Sequence, residues 1–200
     1  MRYIICSVND GEDLLRTKFP SEHRDICTVL STIVCPMKES QQSGKQGVWI
    51  FDPIGMNAIL REQLTMRGWK AKVPLAERRK AGNDVDFYKN GVVIEAQFGN
   101  FAYLQSDVAR LEALHTGVVQ LRGSPPVELG VLITVQKNMP RANSVSDFEI
   151  ATTRAVIIAR TIPLVVFGLD APKAGEEIIL NRYQGQRSRT LISSETKIYS

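Results

Sequence analysis

The period of the apolar positions changes from segment to segment along the chain. After Pro20-Ser21, residues Ile26, Val29, Leu30 and Ile33 recur at helical spacing, which predicts a helix opening there. Val48 to Phe51 reads as a short strand, and Pro53 starts a second amphipathic helix through Ile59, Leu60 and Leu64, stopped by Gly68. A third helix carries Phe101, Leu104, Val108, Leu111 and Leu114 on one side and ends at Gly117. Leu129 to Val135 is almost continuously apolar, the pattern of a strand buried on both faces. Ser146 and Glu149 have capping-box spacing, which starts a helix through Phe148, Ala151, Ala155 and Ile158 that Pro163 ends. Leu164 to Gly168 is a second buried strand. The last 30 residues look irregular, with short strand candidates at Ile178–Leu180 and Thr190–Ile192. Strands alternating with helices predict an α/β fold, a three-layer α/β/α sandwich around a mixed β-sheet.

Between the second and third helices the period shortens to two. Asp84 to Tyr88 and Val92 to Phe98 largely alternate polar with apolar residues, and Asn90-Gly91 between them favours a type I′ hairpin turn. With those two as the turn, Lys89 faces Val92, Asp86 faces Glu95 and Asp84 faces Gln97. Asp84, Asp86, Glu95 and Gln97 then share one face. Opposed like charges about 5 Å apart destabilise a hairpin unless something compensates. A divalent metal, one protonated carboxyl or exposure at a sheet edge would each do so.

Length and composition narrow the class. Two hundred residues suit a single domain over 1–200, with about 171–200 as an irregular C-terminal extension that can reach a partner. No apolar run approaches the roughly 18 residues of a membrane span, and the N-terminus turns acidic too soon for a secretory signal. Cys6, Cys27 and Cys35 have no zinc-ligand spacing and read as reduced core thiols of a cytoplasmic protein. The net charge of +4 permits a polyanionic partner. Its distribution is uneven: Ala76 to Lys80 precedes the acidic hairpin, and Arg182 to Arg189 carries three arginines. A charge run is usually a solvated face, but acids at one place with basic flanks suit a metal centre set against phosphates.

Asp86, eight residues, Glu95, one residue, Gln97 resembles the nuclease pattern Asp…(Asp/Glu)-x-Lys, with Gln in the lysine position. The surrounding segments sharpen this. From about Gly44 to about Leu191 the chain resembles the BglII-like type II restriction endonucleases. The resemblance runs through IFDPIGMN at 50–57, GWKAKVP at 68–74, VIEAQFGNF at 93–101, the helix with Arg110, NMPRANS at 138–144 and PLVVFGL at 163–169. It implies a restriction-endonuclease-like nuclease domain in a homodimer that cuts palindromic double-stranded DNA with a GATC core, using Mg²⁺. A catalytically inactive DNA-binding protein on the same fold is the alternative. A retaining glycosidase also uses carboxyls about 5 Å apart, but the sequence lacks an aromatic-rich sugar cleft.

The resemblance also implies residue roles. Asp86 and Glu95 match the metal-binding carboxylates, and Gln97 the residue that helps hold the attacking water. Asn100, Asn143 and Ser144 fall where the family contacts bases, work that an amide or a hydroxyl can do. Without the resemblance, Asn143-Ser144 is an ordinary turn and Asn100 a helix N-cap. Arg110 can meet a DNA phosphate or pair with a carboxylate, and Arg187 and Arg189 are candidate DNA contacts. There are two departures. Lys72 stands where the family has an active-site asparagine, and Gly99 where a relative has a serine.

Overall fold

In the computed structural model, residues 1–76, 84–99, 101–142, 145–185 and 189–200 are described. The chain runs β1 (Tyr3–Val8), α1 (Gly11–Thr17), α2 (Pro20–Thr32), β2 (Cys35–Glu39), β3 (Trp49–Phe51) and α3 (Pro53–Thr65). It continues through β4 (Lys70–Pro74), β5 (Asp84–Lys89), β6 (Val92–Ala96), α4 (Phe101–His115) and β7 (Leu129–Val135). Last come α5 (Phe148–Ile158), β8 (Leu164–Leu169), β9 (Glu177–Tyr183) and β10 (Leu191–Ile198).

The central sheet has the order β1-β8-β7-β6-β5-β4. Strands β6, β7 and β8 are parallel, joined by crossovers that contain α4 and α5, while β1, β5 and β4 run antiparallel to their neighbours. Alternation along β7 divides the interior into two cores. Leu129, Val131, Ile133 and Val135 join Ile26, Leu30, Met56 and Leu60 from α2 and α3. Leu132 joins Leu104, Val108 and Leu111 from α4 with Ala151 and Ala155 from α5. Helices therefore cover both faces, and the mixed α/β sandwich is the expected one. A Cβ on Gly168 would come within 2.5 Å of the Phe148 ring, so glycine lets α5 lie directly on β8. Among the described residues no helix is long and apolar enough to cross a membrane.

Three local expectations change. First, α5 is capped one residue later than the Ser146–Glu149 spacing suggested. Asp147 Oδ1 accepts from the Ile150 N–H at 3.1 Å, and Arg141 holds its other oxygen at 2.6 Å. A carboxylate is the stronger acceptor for an orphan helix N–H, and it wins.

Second, β1, α1, β2 and β4 carry too little periodic signal to be read from the sequence. Third, the C-terminal residues are not irregular. Strands β9 and β10 form an antiparallel hairpin, and β9 pairs in parallel with β2 to build a second sheet, β10-β9-β2-β3. The short strand candidates at Ile178–Leu180 and Thr190–Ile192 fall within β9 and at the start of β10, but every residue of β10 is exposed, so no burial pattern marks its full length. Its neighbour β9 depends on a partner more than a hundred residues earlier in the chain.

Asp52 fastens this second sheet to the domain. It is fully buried. Its Oδ1 caps α3 through the Ile54 N–H at 3.1 Å, and Oδ2 accepts from Asn181 Nδ2 at 2.8 Å and Tyr183 OH at 2.5 Å. Asp52→Ala removes a cap and strands one buried and one half-buried donor. We expect it to lower stability by about 2–3 kcal/mol in urea unfolding. A loss below about 0.5 kcal/mol would mean that the second sheet stands without this tie.

Candidate active site

The Asn90-Gly91 turn has φ of 47° and 90°, the doubly positive geometry of a type I′ turn. The register then follows the expectation as far as Lys89–Val92, Tyr88–Val93 and Phe87–Ile94. There the β5–β6 ladder stops. The Asp86 N–H donates to Glu95 Oε2 at 3.3 Å, and the Ala96 N–H donates to Asp86 Oδ2 at 2.9 Å. Side-chain carboxylates have replaced backbone partners. Strand β6 continues along β7 instead, and the Gln97 N–H reaches the Ile133 carbonyl at 2.9 Å.

The other neighbour of Asp86 breaks at the same level. Strands β4 and β5 pair at Ala71–Phe87 and Val73–Val85 but skip Lys72–Asp86 between them. Lys72 there has φ of 53°, a left-handed backbone that lysine rarely adopts. Its Nζ lies 2.5 Å from Asp86 Oδ1 and 4.0 Å from Asp84 Oδ2. The β5–β6 ladder ends at Phe87–Ile94, short of Asp84, so the expectation that Asp84 faces Gln97 does not hold; Asp84 pairs with Pro74 on β4. Two interrupted ladders leave Asp86 at a notch in the sheet.

Behind Asp86 the groups are buried and tied together by α4. Glu95 is 3% exposed. Its Oε1 accepts from Arg110 Nε at 3.0 Å and Nη2 at 2.7 Å. Arg110 Nη2 also donates to Asp107 Oδ1 at 2.8 Å, and Gln97 Nε2 donates to Asp107 Oδ2 at 2.8 Å. The Gly99 N–H donates to Gln97 Oε1 at 3.1 Å, so both ends of that amide are oriented. Arg110 thus turns to two carboxylates within the protein. Of its two readings from sequence, carboxylate pairing describes this geometry.

Burial pushes the Glu95 carboxyl up to about 8; Arg110 pulls it back, while Asp86 and Asp107 add to the rise. Burial alone would lower Lys72, but its hydrogen bond and proximity to Asp86 outweigh that and raise it, with help from Asp84 and Glu95. Lys72 therefore stays protonated at neutral pH. Glu95 is shifted furthest of the carboxyls in this cluster, with Asp107 raised in the same direction by burial.

The sign of the pH effect follows. Folded protein keeps a Glu95 proton that the unfolded chain releases above 4.5. The stability tied to that proton is fully present below pH 4.5 and is lost as pH rises through about 8. In urea titrations without metal, wild type should lose stability relative to Glu95→Gln across this window. The slope should approach about 1.4 kcal/mol per pH unit. Parallel curves for the two proteins would show that Glu95 ionises freely.

Asp86, Lys72, Gln97 and Gly99 line a cleft of about 500 Å³ closed by Ile54, Asn57 and Arg61 from α3 and by Arg189. Ile54 also belongs to a neighbouring cleft of about 720 Å³ against the second sheet, with Lys38, Arg182, Tyr183 and Ile192. Asn100, Asn143, Ser144 and Arg187 lie outside the described residues. The segments beside them do meet, since the Ser146 N–H donates to the Gly99 carbonyl at 3.2 Å.

Among the described residues no group of three or more His, Cys, Asp or Glu is gathered for a metal. A hard divalent ion of the Mg²⁺ kind needs one or two carboxylates and completes its shell with water and phosphate. Asp86 at the cleft wall with Glu95 behind it is such a set, and an ammonium already stands against Asp86. The residues fit the ion.

Sequence reasoning missed Asp107 and Arg61. Asp107 and Arg110 are spaced i, i+3 on the polar side of a helix whose apolar side was read correctly. That pair was the available signal.

Comparison with known proteins bears on the family and the fold. The chain is 27% identical over 203 residues to the type II restriction enzyme BglII of Bacillus subtilis, covering 98% of this chain and 89% of that enzyme. It superposes on a crystal structure of restriction endonuclease BglII complexed with a DNA 16-mer with a TM-score of 0.86 at 26% identity, covering 98% and 89%. The TM-score to free BglII is 0.72 at 24% identity, covering 98% and 93%, a likeness of fold. The restriction endonuclease BglII/BglIII family matches residues 3–169, and the chain belongs to that family.

Proposed function

We propose that the protein hydrolyses phosphodiester bonds in a palindromic double-stranded DNA site with a GATC core, as a Mg²⁺-dependent type II restriction endonuclease acting as a homodimer. One observation carries the reading. Asp86 stands where two ladders break, on the wall of a cleft that also holds Gln97, Lys72, Arg61 and Arg189. The relative that superposes well is described with a DNA 16-mer bound, which supports DNA as the partner.

Asp86 and Glu95 would hold the ion, which supplies positive charge at the scissile phosphate and acidifies a water. Gln97, neutral and oriented at both ends of its amide, positions that water and cannot take its proton. Lys72, protonated, meets a phosphate oxygen and does not act as a base. Arg110 and Asp107 touch no substrate; they hold Glu95 and Gln97 in place. Asn100, Asn143 and Ser144 read base edges, and Arg187 and Arg189 contact phosphates. A two-fold dimer brings one such site to each strand of a palindrome.

Digesting a mixed-sequence plasmid with Mg²⁺ and sequencing the ends tests this. Ends sharing one palindrome are expected, and chelator should leave the plasmid intact. A protein that binds but does not cut is the second reading, favoured by the Lys72 ammonium on Asp86. Retarded but uncut DNA would establish it.

A further inference from the structure

We propose that Lys72 is the resident cation of Asp86 in the DNA-free protein, and that a DNA phosphate draws it away and so opens the metal site. The inference rests on the reading of Asp86 as a metal ligand and adds the order and coupling of the two binding events.

The hydrogen bonds at the two carboxylates single out Lys72. Asp86 Oδ2 is held by the backbone N–H of Ala96, and Glu95 Oε2 by the backbone N–H of Asp86. Glu95 Oε1 is held by Arg110, whose side chain is 19% exposed and pinned by Asp107. None of these donors can leave without moving backbone or exposing a buried charge. Asp86 Oδ1 is held by Lys72 Nζ, on a flexible side chain that is 48% exposed and opens on the cleft. Lys72 is the partner free to move.

Its backbone supports the same conclusion. The left-handed φ of 53° falls at the one level where the β4–β5 ladder skips a pair. Lysine gains nothing intrinsic from that conformation, and strain kept at a cleft is a pointer to use. An ammonium and a divalent ion against the same carboxylate repel one another. One must give way, and a phosphate entering the cleft offers Lys72 a second anion. By linkage, whatever factor DNA adds to metal affinity, metal adds to DNA affinity.

The test uses the full chain with Mn²⁺ as the probe, followed by electron paramagnetic resonance without DNA. Lys72→Gln and Lys72→Asn should bind Mn²⁺ about tenfold more tightly than wild type, about 1.4 kcal/mol. Asp86→Asn should bind it far more weakly. In chelator, Lys72→Gln should bind a mixed-sequence duplex with a salt slope shallower by about one, the signature of one lost phosphate contact. Equal Mn²⁺ affinity in wild type and both Lys72 variants, or binding by none of them, overturns the proposal. An unchanged salt slope overturns the hand-over to phosphate. Mn²⁺ binding undiminished in Asp86→Asn overturns the metal assignment itself, which separates failure of that reading from failure of this one.

Discussion

Asp86→Asn is expected to slow single-turnover cleavage by at least about a thousandfold, roughly 4 kcal/mol on the barrier. The substitution keeps the shape of the side chain and an oxygen to accept from the Ala96 N–H, so the notch should survive. What disappears is the charge that faces the cleft. Asn cannot compete with water for a hard cation as a carboxylate does. Duplex binding should hold or tighten, because a negative group near the phosphates has gone. Stability should change by less than about 1 kcal/mol, since the lost partner is a half-exposed lysine. A variant that still cuts at the wild-type rate would remove Asp86 from the centre of the reaction.

Arg110→Ala is expected to cost about 3–5 kcal/mol of stability well above pH 8. There Glu95 is ionised and almost wholly buried, and Arg110 is its charged partner. Without the guanidinium, Asp107 also loses a donor, and Gln97 is left tied to a carboxylate with nothing behind it. The loss should shrink as pH falls below about 8, because Glu95 then carries its own proton. Urea unfolding of wild type and variant at several pH values measures both features. A uniform loss below about 1 kcal/mol would mean that the pair behaves like a surface ion pair.

The hairpin illustrates how far local sequence reaches. Asn90-Gly91 demanded one turn geometry, and the turn set the register for three pairs. Asp86, Glu95 and Gln97 stood out as candidates from their spacing along the chain and the resemblance around them, although the observed register stops one pair short of Asp86. Helices α3, α4 and α5 and strands β7 and β8 were legible for a similar reason. Each buries a face against a core, and burial writes a period of two or 3.6, or an unbroken apolar run, into the chain.

Other features arise only when distant segments meet. Strand β10 is wholly exposed and owes its conformation to β9, which owes its own place to β2. Asp52 looks like a simple helix cap until Asn181 and Tyr183 arrive from beyond position 180. Periodicity marked one side of α4 as core but did not say that Asp107 and Arg110, on its other side, would close over Glu95 and Gln97. Lys72 read from sequence as a departure from a family pattern, and its left-handed backbone and contact with Asp86 appear only in the folded sheet. The sequence determines which chemical groups are present and which local periods they obey. Their protonation and pairing depend on burial and on nonlocal neighbours, and those belong to the tertiary structure.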